Sequence, residues 1–167
     1  TQAEILPNPL YEIDAATYAE YHGLMAKMES EVDLMHKMIN TLKAKRDQLE
    51  ALLSIIPSEE KFNAVKKDGR ALIEKMKAWD EEMIQRKSKA YDDVENFPNK
   101  FTANYLFLIN QTESDLPRVN KGSLERLKEL DGEWKVLKSR AREILDQEIP
   151  ALNKRLWGMG FGAIWGD

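Results

Sequence analysis

Cysteine is missing from the 167-residue chain altogether, histidine occurs twice, and no apolar run comes near bilayer length, the stretch Leu52 to Pro57 being among the longest. Without cysteine, disulfides and thiolate zinc sites are excluded, while a reducing and an oxidising compartment stay equally open. His22 and His36 fall on one expected helix, about 21 Å apart by helical rise, so they cannot share an ion. The nearest approach to a di-iron bundle pattern, Asp33-x-x-His36, has no counterpart on a second helix. No metal and no cofactor is therefore expected. Gly-x-Ser-x-Gly is absent too. Gly158-x-Gly160-x-Gly162 has no strand before it and no helix after it, as a nucleotide loop would need. The doublets Glu59/Glu60, Glu81/Glu82 and Asp92/Asp93 are expected as solvated charge on helix faces rather than as a catalytic acid pair. No catalytic residue is assigned, and an enzyme is not expected. Net charge is −4 with acids and bases interspersed, which lacks the clustered basic face of a nucleic-acid binder.

What the chain has in quantity is helical periodicity. Hydrophobic residues at 43% with charged residues at 32% suit elongated helices, each with one apolar stripe and one solvated face. Pro7 and Pro9 make residues 1–13 an extended lead-in. The chain opens on Thr1 without a basic, then apolar, leader, and is expected to be a piece of something longer. Asp14 can cap the helix that follows. Tyr18, Tyr21, Met25, Met28, Val32, Met35, Ile39, Leu42, Leu49 and Leu53 then alternate spacings of three and four, with Arg46 the one polar member of the series. Such a seam predicts a helix over 15–56, about 60 Å long, packed in coiled-coil fashion.

Pro57-Ser58-Glu59-Glu60 turns the chain. A second seam runs through Phe62, Val65, Gly69, Leu72, Met76, Trp79 and Met83 and ends near Arg86, Lys87 and Lys89. A turn centred near Pro57 would set Arg46 opposite Gly69, where the missing side chain admits the arginine stem and Asp68 receives its head, and would bring Arg86 near Met28 and Glu29. Asn96-Phe97-Pro98-Asn99 precedes a third, shorter helix carrying Phe101, Tyr105, Leu106, Leu108 and Ile109, which Ser114-Asp115-Leu116-Pro117 ends. Ser123 can cap a fourth helix that Pro150 kinks or restarts. Six of the seven methionines lie on the first two helices, where they are expected to fill core gaps rather than line a pliable partner-binding groove. The fold expected is all-α: an elongated antiparallel up-down bundle of three to four helices over 14–157, with an irregular tail over 158–167. In that tail region Trp157, Phe161 and Trp165 stand among glycines. These aromatics either pack on the bundle end or form an interaction surface for a neighbouring domain or subunit.

Three stretches carry a resemblance: Ile5-Leu6-Pro7-Asn8-Pro9, Asn96-Phe97-Pro98-Asn99-Lys100-Phe101, and Asp146-Gln147-Glu148-Ile149-Pro150-Ala151-Leu152-Asn153. In this order they resemble the C-terminal helical region of bacterial BNR-repeat, glycosyl-hydrolase-like proteins with sortilin-type β-propellers. There the first is the exit from the preceding β-domain, the second a turn before a leucine-rich helix, and the third an ending in which phenylalanine stands where this chain has Leu152. The resemblance implies an exported protein, periplasmic or extracellular, whose upstream β-rich domains carry any hydrolytic activity. It transfers no catalytic residue; Pro98 and Pro150 would shape the backbone.

The function expected is thus a non-catalytic structural or interaction module whose partners are upstream β-rich domains of the same polypeptide. The alternatives are a free-standing coiled-coil-type adaptor pairing through its first two helices and, less favoured, a ligand-binding bundle. The last would need a cavity with convergent polar groups, and Arg46 is its one strong inward candidate.

Overall fold

The computed structural model describes residues 3, 4, 6, 13–89, 95–114 and 117–164. Of the positions singled out above, Ile5, Pro7, Asn8, Pro9, Asp92, Asp93, Asp115, Leu116 and Trp165 lie outside the described residues. The chain is an all-α bundle, and no described residue is in a strand. Helix α1 spans Ala15–Ile55, α2 Asn63–Met83, α3 Phe101–Ser114 and α4 Lys121–Glu143; a π-helical turn at Ile144–Glu148 carries α4 directly into α5, Ile149–Gly158. α1 starts where its cap predicts, with the Asp14 carboxylate accepting from the Thr17 amide at 2.7 Å. Its seam forms the core: Met25, Met28, Met35, Ile39, Leu42, Leu49 and Leu53 are all buried. All six methionines of α1 and α2 lie in that core.

Contacts across the bundle set the directions. Lys27 pairs with Asp131 at 2.7 Å, and Glu31 takes both the Trp134 indole and the Lys138 ammonium, so residue numbers rise together and α4 runs parallel to α1. Against α2 they fall. Trp79 donates to the Leu137 carbonyl, Lys75 pairs with Glu148 and Asp68 with Arg155. α3 is likewise antiparallel to α4, through Phe101 stacked on Trp134 and Tyr105 bonded to Asp131. α2 and α3 therefore point the same way and follow each other down one side of the bundle, joined where the Thr102 hydroxyl donates to the Met83 carbonyl at 2.7 Å. The five helices of the described residues make three columns: α1 up, α2 then α3 down, and α4 through α5 up. Residues 84–89 and 95–100, between the two halves of the descending column, lie in neither α2 nor α3.

Several local expectations are corrected. Gly69 faces Leu53 rather than Arg46: a Cβ built on Gly69 would stand 2.9 Å from both terminal methyls of Leu53. The fold-back is longer than a turn centred on Pro57, because Glu60–Phe62 forms a 3-10 turn before α2 begins at Asn63. The register slides accordingly. Asp68 pairs with Arg155 instead of Arg46, and Arg86 bonds Asp80 instead of approaching Met28 and Glu29. Asn120, not Ser123, caps α4, its side chain accepting from the Ser123 amide at 2.7 Å. Gly158 belongs to α5, one residue beyond the expected boundary.

The helix restarts at Pro150, one of the two expected outcomes: α5 opens at Ile149 with Pro150 in its first turn. The Ile149 amide donates to Ile144, five residues back, in a wide turn. That turn opens the ladder where Pro150 has no N–H and where its ring would crowd the carbonyl four residues earlier.

The Gly69–Leu53 contact predicts that Gly69→Leu destabilises the bundle by about 1 to 3 kcal/mol through overpacking. Leu53→Ala in the same chain should recover part of that loss, with a coupling of roughly 1 kcal/mol in a double-mutant cycle followed by urea unfolding. Strict additivity of the two substitutions would break the assignment.

Candidate functional site

The aromatic residues named from the sequence part company in the structure. Phe161 is half-buried and sits edge-on to Phe62, ring centroids 5.2 Å apart. Its path is set by a Schellman turn: Phe161 N–H donates to Leu156 and Gly160 N–H to Trp157, with Gly160 at φ +81, a conformation that favours glycine. Beyond it, the Asn153 side chain holds the backbone of Ile164 through both its amide (2.9 Å, to the carbonyl) and its oxygen (2.8 Å, from the N–H). Ile164 is buried. Trp157 lies in the last turn of α5 and is 69% exposed. The described part of the tail, up to Ile164, thus packs on the bundle end, and Trp157 alone of the two described aromatics projects from it. Sequence reasoning passed over the Asn153–Ile164 clasp, whose only signal was an apolar residue among the tail glycines.

Midway along α1 lies a polar layer. The Tyr105 hydroxyl and Lys27 bond opposite oxygens of Asp131, and Glu31 holds Trp134 and Lys138. Burial, followed by the negative charge of Asp131, pushes the Tyr105 phenol far up. Burial also pulls Glu31 upward, but the Trp134 and Lys138 hydrogen bonds outweigh it and hold this carboxyl below its ordinary range. Every buried side-chain polar atom among the described residues has a partner, so this layer tightens the bundle without leaving a group free for chemistry.

Between the end of α2 and the start of α3, an open cleft of about 780 Å³ forms against α1. α1 contributes Arg46 and Glu50, and α2 contributes Lys77, Asp80 and Glu81. Ile84, Gln85, Arg86 and Lys87 follow directly after α2, and Asn96, Phe97, Pro98 and Lys100 close the other side. Asp80 is only 5% exposed and is clamped by Arg86, Nε to one oxygen at 2.5 Å and Nη2 to the other at 2.6 Å. This bond is the main reason the Arg86 guanidinium binds its proton more firmly than usual. The Arg46 side chain, 16% exposed, rests its Nε and Nη2 on a single oxygen of Asp47 at 3.3 and 3.0 Å. Gln85 tethers the two rims, its amide donating to the Pro98 carbonyl at 3.3 Å. Arg46, singled out from the sequence, is in place; the residues it joins come from stretches far apart in the chain.

His22 and His36 are both exposed on α1, His22 stacked with Tyr18 and edge-on to Tyr21. The formal glycosylation sequon Asn110-Gln111-Thr112 lies within α3, and the buried Thr112 hydroxyl is bonded to the Leu108 carbonyl. No helix of the described residues is long and apolar enough to cross a membrane. Comparison with protein-family models, with curated proteins and with solved structures finds no match to this chain.

Proposed function

We propose that the chain is a non-catalytic helical interaction module, carried behind β-rich, propeller-type domains of an exported protein, and that it docks on those domains through the end of the bundle bearing Trp157. One observation carries the reading: a tryptophan more than two-thirds exposed on a rigid helix, beside a tail fixed by the Asn153 clasp. A large aromatic already held in place loses little freedom on docking, which is why such residues dominate binding at interfaces. The resemblance noted above supports the same end of the molecule, since its third stretch finishes on Asn153, the residue that fastens the tail.

The coiled-coil adaptor is less well supported. The apolar seams of α1 and α2 are buried within a single chain, which leaves no seam open to a partner helix. Calorimetric titration of the chain with separately produced upstream domains tests the proposal. Trp157→Ala should weaken association by roughly thirtyfold, a loss of about 2 kcal/mol, while leaving the unfolding midpoint unchanged. Failure of those domains to bind, or undiminished binding by Trp157→Ala, would overturn it. A dimer that forms with rising concentration in sedimentation would favour the adaptor instead.

A further inference from the structure

We propose that the cleft between Ile84–Lys87 and Asn96–Lys100 binds a small polyanion, a molecule carrying two or more carboxylate or phosphate groups. The site is independent of the docking surface at Trp157 and is built from different elements. Its cations arrive from four separate stretches: Arg46 from α1, Lys77 from α2, Arg86 and Lys87 from the segment after α2, and Lys100 from the turn before α3. A solvated helix face places its charges along one helix; here the tertiary fold gathers them around one opening. Its volume lies within the range of small-molecule sites, about 300 to 1,000 Å³.

Of the acids at the cleft, Asp80, Asp47 and Glu50 act as supports, and Glu81 lines it as well. Asp80, buried, holds Arg86 in a two-pronged grip; Asp47 steadies Arg46, and Glu50 pairs with Lys77 at 3.2 Å. Neither guanidinium uses its Nη1 group on a carboxylate of the described residues, and Lys87 and Lys100 form no ion pair with any described residue. Each guanidinium, held in place through its Nε and Nη2, therefore keeps its Nη1 side for a ligand, beside two ammonium groups, with Phe97 and Pro98 supplying an apolar edge. Pre-positioned guanidinium groups of this kind suit carboxylate and phosphate oxygens and need no reorganisation on binding. More than one anionic group is required to reach cations that stand on opposite rims.

The test is calorimetric titration of the whole chain with pyrophosphate and, separately, with citrate, at low salt. Saturable one-to-one binding is expected for both, and acetate at equal concentration should not bind. The double substitution Lys87→Gln/Lys100→Gln should weaken binding by at least about tenfold, and Arg46→Gln by a similar factor, the loss of each anchored charge being worth about 1.4 kcal/mol or more. Lys67→Gln/Arg70→Gln, in the cationic groove beside Ser58, serves as the control and should leave the affinity unchanged. Circular dichroism melts of all variants identify any that fail to fold, and the lysine pair decides if Arg46→Gln does. Absence of saturable uptake, equal weakening by the control pair, or binding only of an acidic peptide such as oligoglutamate would overturn the proposal.

Discussion

Trp79→Ala should destabilise the chain by about 3 to 5 kcal/mol, the largest single loss expected from any side chain here. Trp79 has no exposed surface and sits on α2 against α4, where its indole N–H donates to the Leu137 carbonyl at 2.8 Å. Removing the ring empties a volume bordered by helices that are themselves held by long-range pairs, so collapse around the gap is resisted. Trp79→Phe separates the two contributions. Leu137 lies inside α4 and its carbonyl keeps its helical partner, so losing the indole donor leaves no orphaned acceptor. That variant should lose only about 1 kcal/mol beyond any change in packing. Urea unfolding followed by circular dichroism measures both. A loss below about 1 kcal/mol for Trp79→Ala would mean that the three columns do not meet at this residue as described.

The second large effect belongs to the Arg86–Asp80 pair. Arg86→Leu leaves a carboxylate that is 5% exposed without its cation, which should destabilise the chain by roughly 2 to 3 kcal/mol. The figure sits below that for a fully buried pair because the Arg86 side chain is 41% exposed, so water can partly replace it. The diagnostic result is the double variant Asp80→Leu/Arg86→Leu. It should be more stable than Arg86→Leu alone, since the apolar replacement removes the uncompensated charge together with its partner. If the double variant is the less stable of the two, the pair contributes through packing rather than through charge compensation.

How much of this was legible from residues alone depends on distance along the chain. The three-and-four spacing from Tyr21 to Leu53 located α1 and its buried face, because a helix's neighbours at that spacing share one side whatever surrounds them. Register across the first turn was not legible. Whether Gly69 meets Arg46 or Leu53 depends on how many residues of 56–62 are non-helical, and the 3-10 turn adds length that the periodicity does not record. Direction was legible only where a tight turn forces it. Between Met83 and Phe101 the connection is long enough to allow either direction, and α3 continues downward, which creates the cleft. Asn120 and Ser123 are both good caps three residues apart, so composition left α4's start undecided until the Asn120 side chain was seen to accept the Ser123 amide. The tail's fate turned on a polar residue, Asn153, whose role needs the position of Ile164 in space.

The wide turn before Pro150 has an effect far from itself. Down the last column the buried positions step from Leu130 to Trp134, Leu137, Ala141 and Ile144 in fours and threes, then jump five to Ile149 before the same rhythm resumes at Leu152 and Leu156. One surplus residue in an ordinary helix would swing everything after it by about 100° around the axis. The enlarged loop of backbone absorbs that surplus, so Leu156 still faces inward and Trp157 outward. The compass bearing of the exposed indole is thus set two turns before it, by a residue count rather than by any contact the indole makes.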